Sequence, residues 1–235
     1  MDLEELVAVS DFIGVVEVDS SEMLGEIFNP NLPKRGYWEY AQKNRFHVIE
    51  IIKSATFIDV ELDRIDTLWA EKSFICAAAS YSPGKYLVFL EAVAKNEWIT
   101  INHQLGGIEI ENDSVEFGWY KNSRMKNALI SLAEAQKAIN KCMIDSPVFE
   151  IEVTIPSDLL YNEWQENREY QKVIFHIYNP PSEFWPDGLT NFARCFIKIS
   201  CEDYESVTQN GGNYHLSVHW ENGYLIVDSI KPKGK

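Results

Sequence analysis

The chain has 235 residues, which is enough for one large or two small domains with their own hydrophobic cores. Its 46% hydrophobic and 13% aromatic residues exclude a chain that is disordered throughout. The 36 acidic and 21 basic residues give a net charge of −15, which disfavours binding to nucleic acid or anionic membranes and favours a cationic partner. The same charge is also compatible with a role in solubility alone.

The N-terminus and the cysteines indicate the compartment. No apolar run reaches the roughly 18 residues that a membrane span requires. Because Met1–Glu5 lacks the basic start of a signal peptide, we expect a cytoplasmic protein, or an exported one if a signal has been removed and a Met added. The four cysteines show no C-x-x-C spacing, so we expect free thiols, no structural metal and no cofactor.

Short β-branched and aromatic segments between polar turns predict a β-rich first part of the chain. Asp2 can begin a short helix before the first strand. A capping box at Ser131 and Glu134 predicts a closing helix that ends at about Cys142. Strands are predicted at Phe12–Val18, Phe46–Ile52, Phe57–Leu62, Tyr86–Leu90 and Trp98–Ile101, followed by a small hairpin of Ile108–Ile110 and Val115–Trp119.

A long connection is predicted between the first two strands, at Ser20–Asn44, because its prolines and glycine oppose regular structure. Its large aromatic residues either cover the core as a lid or form a contact surface. In the second case, Trp38, Tyr40, Trp119 and Tyr120 form or border a partner-binding site.

The order of these segments resembles the OB-fold domain of the tissue-inhibitor-of-metalloproteinases and netrin-module superfamily, in a bacterial, cysteine-poor form. The resemblance covers about Met1 to Met143. It is carried by the N-terminal helix, by Ser10–Val18 (Ser-Asp-Phe-Ile-Gly-Val-Val-Glu-Val), by Phe46–Ser54 and by Ser82–Leu90. It implies a five-stranded OB-type barrel with a closing helix. Inhibitory members of the family chelate a protease zinc through an N-terminal Cys-x-Cys, which this chain lacks, so the resemblance does not imply that activity.

A linker at Asp145-Ser146-Pro147 predicts two domains, residues 1–145 and residues 147–235. The second is expected to be a small α+β domain with an antiparallel sheet, and the whole chain is therefore mainly β with helices. His215 and His219 lie four residues apart on a predicted strand, too far for shared metal ligation, and are expected on its solvent face. The elements predicted here are strands at Phe149–Ile155, Val173–Tyr178, Phe192–Cys201, Tyr214–Trp220 and Tyr224–Ile230, with a helix at Leu159–Glu169.

No catalytic or nucleotide-binding motif occurs in the sequence, and we expect no enzyme activity. The sequence predicts a non-catalytic interaction protein that presents OB-fold loops to a protein partner, with a basic partner suited to its charge. One alternative is an acidic intracellular immunity protein or nucleic-acid mimic that neutralises a basic toxin or nuclease. Another is an enzyme whose site is assembled from dispersed residues.

Overall fold

A computed structural model describes residues 3, 6–7, 10–32, 36–55, 59–71, 80–101, 106–121, 124–143, 145, 147–155, 173–177, 193–197, 212–221 and 224–233. The fold is mainly β, as the sequence predicts. The strands are β1 (Phe12–Phe28), β2 (Tyr37–Ser54), β3 (Ile65–Glu71), β4 (Gly84–Ala94), β5 (Glu97–Thr100), β6 (Gly107–Glu111), β7 (Ser114–Lys121), β8 (Arg124–Ser131), β9 (Phe149–Ile155), β10 (Val173–Ile177), β11 (Ala193–Ile197), β12 (Gly212–Glu221) and β13 (Tyr224–Pro232), and the helix α1 spans Leu132–Cys142.

The first eight strands form one partly closed sheet in the order β1-β2-β3-β5-β4-β6-β7-β8. Strand β1 also pairs with β4, with Phe12 opposite Leu90 and Val18 opposite Gly84. These pairings connect β1, β2, β3, β5 and β4 in a ring in which only the β3–β5 pair is parallel. Four of the predicted strands overlap β1, β2, β4 and β5.

The third strand differs from the prediction of Phe57–Leu62. Residues 56–58 lie outside the described part of the chain, residues 59–61 are not in a strand, and the exposed Leu62 makes only an isolated bridge with Val48. The strand is instead Ile65–Glu71, a segment in which no strand is predicted. Its buried Asp66 interrupts the apolar pattern, but its carboxylate accepts hydrogen bonds from Trp98 Nε1 at 2.8 Å and Arg64 Nε at 2.9 Å.

The prediction of a long irregular connection at Ser20–Asn44 is wrong. Strands β1 and β2 continue through most of it as a hairpin, whose turn begins at Asn29 and ends at Gly36. Several β-bulges interrupt the pairing, one of them at Gly25, which has a φ of 74°. We call Ser20–Phe28 with Tyr37–Asn44 the hairpin end. Because the bulges shift its alternation, the sequence shows no strand period there.

Three hydrophobic clusters lie around the ring. The first lies among the strands of the ring and contains Phe12, Phe46, Leu68, Val88 and Trp98. The second lies on the other face of β1 and β4, where side chains of these strands pack against the N-terminal helical residues and α1. It contains Leu6, Ile13, Phe89 and Ile139. The third contains Leu32, Trp38, Trp69, Val93 and Ile99, and so joins the hairpin to β3, β4 and β5.

The helix predicted from the capping box at Ser131 and Glu134 is confirmed as α1. Ser131 Oγ accepts a hydrogen bond from the Glu134 backbone N–H at 3.3 Å, and the Glu134 carboxylate accepts one from the Ser131 backbone N–H at 3.0 Å. This is the capping box expected from the sequence. The helix buries Ala135 and Ile139, which lie one turn apart, in the second cluster.

A buried lysine links β2 to the N-terminal helical residues. The Lys53 ammonium donates a hydrogen bond to the Val7 carbonyl, and Ser10 Oγ donates to the Leu6 carbonyl at 2.6 Å. Burial holds the pKa of Lys53 well below its usual value of 10.5, because the charged form is poorly solvated there.

The C-terminal part contains a three-stranded antiparallel sheet, β13-β12-β9, and a separate antiparallel pair, β10-β11. On β12 the side chains of Tyr214, Leu216, Val218 and Trp220 are buried and alternate with His215 and His219, as predicted. The predicted helix at 159–169 lies outside the described residues. The boundary at residues 145–147 stays a prediction. Among the described residues, no helix has the length and apolar composition needed to cross a membrane.

Candidate functional site

The hairpin end exposes a group of large apolar side chains. Phe28 and Tyr37 lie directly opposite each other across the β1–β2 pair, next to the turn. Single exposed apolar residues are common on soluble proteins, whereas a group on one short segment is unusual. We call this group the aromatic face; it comprises Met23 (51% exposed), Leu24 (37%), Phe28 (71%), Tyr37 (45%) and Tyr40 (40%).

Trp38 belongs to the hairpin but not to the aromatic face. It is only 5% exposed and packs in the cluster that contains Leu32, Trp69 and Ile99. Successive side chains of a strand point to opposite sides, so Tyr37 faces solvent while Trp38 faces the sheet. Trp38 therefore covers the core, which is the lid alternative, whereas Tyr37 is exposed, which is the contact-surface alternative.

The turn of the hairpin is fixed to the ring by one carboxylate. Glu97 Oε2 accepts hydrogen bonds from Asn29 Nδ2 and from Trp69 Nε1, each at 3.1 Å. Lys43 Nζ lies 5.7 Å from the centroid of the Trp69 ring, within cation–π range. Glu97 therefore links the hairpin turn to β3 and β5.

Acidic side chains are interspersed with the aromatic face. Tyr37 Oη donates a hydrogen bond to Glu26, and this bond raises the pKa of Tyr37 above its usual value of 10.0. Glu22 and Glu39 are exposed on the same hairpin. The hairpin end therefore carries three exposed carboxylates as well as the exposed rings.

The structure places the four predicted site residues differently. Tyr40 is exposed on the aromatic face and Trp38 is buried beneath it. Trp119 and Tyr120 lie on β7, opposite Lys126 and Met125 of β8, and their side chains lie outside the described part of the structure. Their role in partner binding stays a prediction.

The hairpin end has no strand pattern in the sequence, so Met23, Leu24, Phe28 and Tyr37 are not among the predicted site residues. Tyr37 lies beside Trp38 and Tyr40 in sequence, and this aromatic cluster was the only signal for it.

A depression with a volume of about 470 Å³ lies beside the hairpin end, on the face of β1–β2–β3 opposite the first cluster. Register places Glu17, His47 and Ile65 in one cross-strand row and Ser20, Arg45 and Thr67 in the next. The residues that line it are Asp19, Ser20, Arg45, His47, Asp63 and Ile65.

A β-bulge directs an additional carboxylate toward this depression. Val18 pairs with Phe46 and Ser20 with Arg45, so Asp19 is the extra residue on β1. Asp19 Oδ1 lies 3.1 Å from His47 Nδ1, and Glu17 Oε2 lies 3.8 Å from His47 Nε2. Both ring nitrogens therefore face carboxylates.

This arrangement does not form a catalytic triad with Ser20. Within the described part of the chain, no hydrogen bond joins the Ser20 hydroxyl to His47, and a nucleophile must lie in hydrogen-bond reach of its base. Among the same residues, no three His, Cys, Asp or Glu side chains are grouped to hold a metal ion. The Cys142 Sγ donates a hydrogen bond to the Ala138 carbonyl at 3.3 Å.

The second His–carboxylate arrangement lies on the C-terminal sheet. His219 Nδ1 lies 2.8 Å from Asp228 Oδ2, and His215 Nδ1 lies 3.8 Å from Glu152 Oε1. Glu152 also accepts a hydrogen bond from Lys233 Nζ at 2.5 Å, which lowers the pKa of Glu152. The two histidines contact different carboxylates, as expected for separate positions on a solvent face.

No family model, curated protein or solved structure matches the chain. The structural class is that of a mainly β protein with a partly closed sheet.

Proposed function

We propose that this chain is a non-catalytic protein-binding protein whose N-terminal part is an OB-type barrel. The ring order β1-β2-β3-β5-β4, with β3 and β5 parallel, supports the barrel, and α1 packs on it as a closing helix. The netrin-like resemblance is retained as a part of this proposal. The C-terminal sheets belong to a second, α+β domain.

One observation carries the binding function: the hairpin end exposes five large apolar side chains on a protein that is otherwise strongly charged. Contiguous exposed apolar groups with a polar rim are typical of interaction sites. Aromatic anchors contribute most of the binding free energy at such sites. We assign Phe28, Tyr37 and Tyr40 to direct contact and Trp38 to holding the hairpin, while Trp119 and Tyr120 remain candidate contacts.

The proposed partner is a basic protein. Glu22, Glu26 and Glu39 are exposed on the same hairpin as the rings, and the net charge of −15 steers cationic molecules toward the protein. The alternative function, an acidic immunity protein or nucleic-acid mimic, uses the same surface against a basic toxin or nuclease. Inhibition of the captured partner's own activity distinguishes this alternative from simple binding.

The test begins with a photo-crosslinking amino acid at position 37. The captured partner is identified, purified and titrated against the wild type and the Phe28→Ala and Tyr37→Ala variants. Each variant should weaken binding by about 2 kcal/mol, as expected for an aromatic anchor.

The matched control is Leu129→Ala, which removes a side chain that is 75% exposed on β8, outside the aromatic face. Its affinity should equal that of the wild type. Equal losses at Leu129 and at the aromatic positions, or no loss at any of them, would refute the assignment of the aromatic face.

A further inference from the structure

The depression beside the hairpin end contains two opposite charges that the fold itself does not use. Within the described residues, Arg45 forms no ion pair and the Asp63 carboxylate accepts no hydrogen bond. Side chains of these types are strong recognition groups, Arg for carboxylates and Asp for ammonium groups. The other charged groups of the depression, Asp19 and His47, already contact each other.

Asp63 is held at one end of the depression by its backbone. It has a φ of 61°, in the left-handed region, and its N–H donates to the Val48 carbonyl at 3.2 Å. Val48 lies three residues along β2 from Arg45, which corresponds to roughly 10 Å between backbone positions. A ligand that contacts both side chains therefore needs its own two charges several ångströms apart.

The space between the two charged groups is partly apolar. Ile65 lies opposite His47 and is exposed, so its side chain offers a surface for an aliphatic group. The Ser20 hydroxyl, opposite Arg45, adds one more polar group on the β1 side. The volume of about 470 Å³ accommodates a ligand larger than one amino acid.

We propose that this depression binds a zwitterionic ligand of dipeptide size that carries an aliphatic side chain. Its carboxylate accepts hydrogen bonds from the Arg45 guanidinium, its ammonium group donates to Asp63, and its side chain packs on Ile65. This inference goes beyond the proposed protein binding and does not depend on the aromatic face. Because the depression is open to solvent, affinity in the millimolar range is expected.

The probe is the dipeptide leucyl-alanine, titrated into the full chain while NMR follows the methyl group of Ile65. Arg45→Gln and Asp63→Asn should each weaken binding about tenfold, as expected for loss of one charge-assisted hydrogen-bonded contact. Lys43→Gln is the matched control, because Lys43 lies on the same face of β2 and places its ammonium over Trp69. It should bind as the wild type does.

Capped peptides test the two contacts without depending on the variants. N-acetyl-leucyl-alanine lacks the ammonium group and should become insensitive to Asp63→Asn, while leucyl-alanine amide lacks the carboxylate and should become insensitive to Arg45→Gln. If a variant does not fold, as judged by its melting temperature, the two contacts are tested on the wild type alone. Each capped peptide should then bind the wild type more weakly than leucyl-alanine does. Absence of saturable shifts, equal binding of free and capped peptides, or an equal loss in Lys43→Gln would overturn the proposal. None of these results bears on the aromatic face, which Phe28→Ala and Tyr37→Ala test separately.

Discussion

Trp38→Ala should strongly destabilise the protein, because Trp38 is 5% exposed and packs between the hairpin and the sheet. A Trp side chain buries roughly 200 Å², and at about 25 cal/mol per Å² this corresponds to about 5 kcal/mol. The unfolded chain already buries part of that area, so about 5 kcal/mol is an upper bound for the free energy gained by burying Trp38. We therefore expect a loss of about 3–4 kcal/mol in the free energy of unfolding, within the usual range for such truncations.

The assay is urea unfolding followed by far-UV circular dichroism, which does not depend on the fluorescence of the removed ring. The matched control is Tyr37→Ala, the neighbouring residue on the opposite side of β2. Its ring is 45% exposed and its hydrogen bond to Glu26 lies at the surface, so its loss should cost less than about 1 kcal/mol. If Trp38→Ala does not fold, Trp38→Leu should still show an intermediate loss.

Equal effects at positions 37 and 38 would contradict this account of the hairpin. A cost below about 1 kcal/mol at Trp38 would mean that the third cluster adds little stability. In that case the hairpin would be held by its backbone pairing and by Glu97 alone, and Trp38 would return to the set of candidate contacts.

The other predictions concern stability and domain organisation. Asp66→Ala removes the buried acceptor of Trp98 and Arg64 and should cost about 3 kcal/mol in urea unfolding, with Asp66→Asn less affected; equal stability to the wild type would contradict the buried network. Lys53 has a lowered pKa in the folded state, so between that pKa and 10.5 the unfolded chain binds more protons and stability rises with pH. Lys53→Met should lack this rise in stability with pH. Parallel curves of stability against pH for the wild type and Lys53→Met would refute the lowered pKa of Lys53. Ser131→Ala should lower the free energy of unfolding by about 1 kcal/mol through loss of the cap of α1. An unchanged free energy of unfolding would show that the capping box does not stabilise the protein. Limited proteolysis should cleave at Asp145–Pro147, and the fragment Met1–Ile144 should melt cooperatively; an aggregated fragment would contradict the boundary.

Local signals predicted several elements because the stabilising groups are adjacent in sequence. Tyr86–Leu90 is apolar on both faces and lies in β4, covered by two clusters. The capping box of α1 needs only Ser131 and Glu134. By contrast, one hydrogen-bond partner of Asp66 is Trp98, which is 32 residues away. The sequence near Asp66 therefore does not show that its carboxylate is buried. The third strand was misplaced for that reason.

The candidate site was predicted in part. The aromatic residues of the hairpin are evident in sequence, but the side that each one faces depends on the β-bulges that precede it. The alternation of side chains on β2 is regular near Phe46. It cannot be extended from there to Trp38, because a β-bulge lies between them. The depression was not predicted, because its residues come from three strands and one turn, and only the register brings Arg45, Ser20 and Asp63 together.

Glu97 has a consequence for the partner binding proposed above. Its Oε2 atom, on the first residue of β5, joins Asn29 of the hairpin turn to Trp69 of β3. Shortening this side chain by one methylene, as in Glu97→Asp, should weaken the link between the hairpin turn and β3 while leaving every exposed ring chemically intact. Under the proposed function, a substitution at Glu97 should therefore change affinity for the partner without changing any of the proposed contact residues. A search for determinants of specificity that is confined to the contact surface would miss this position.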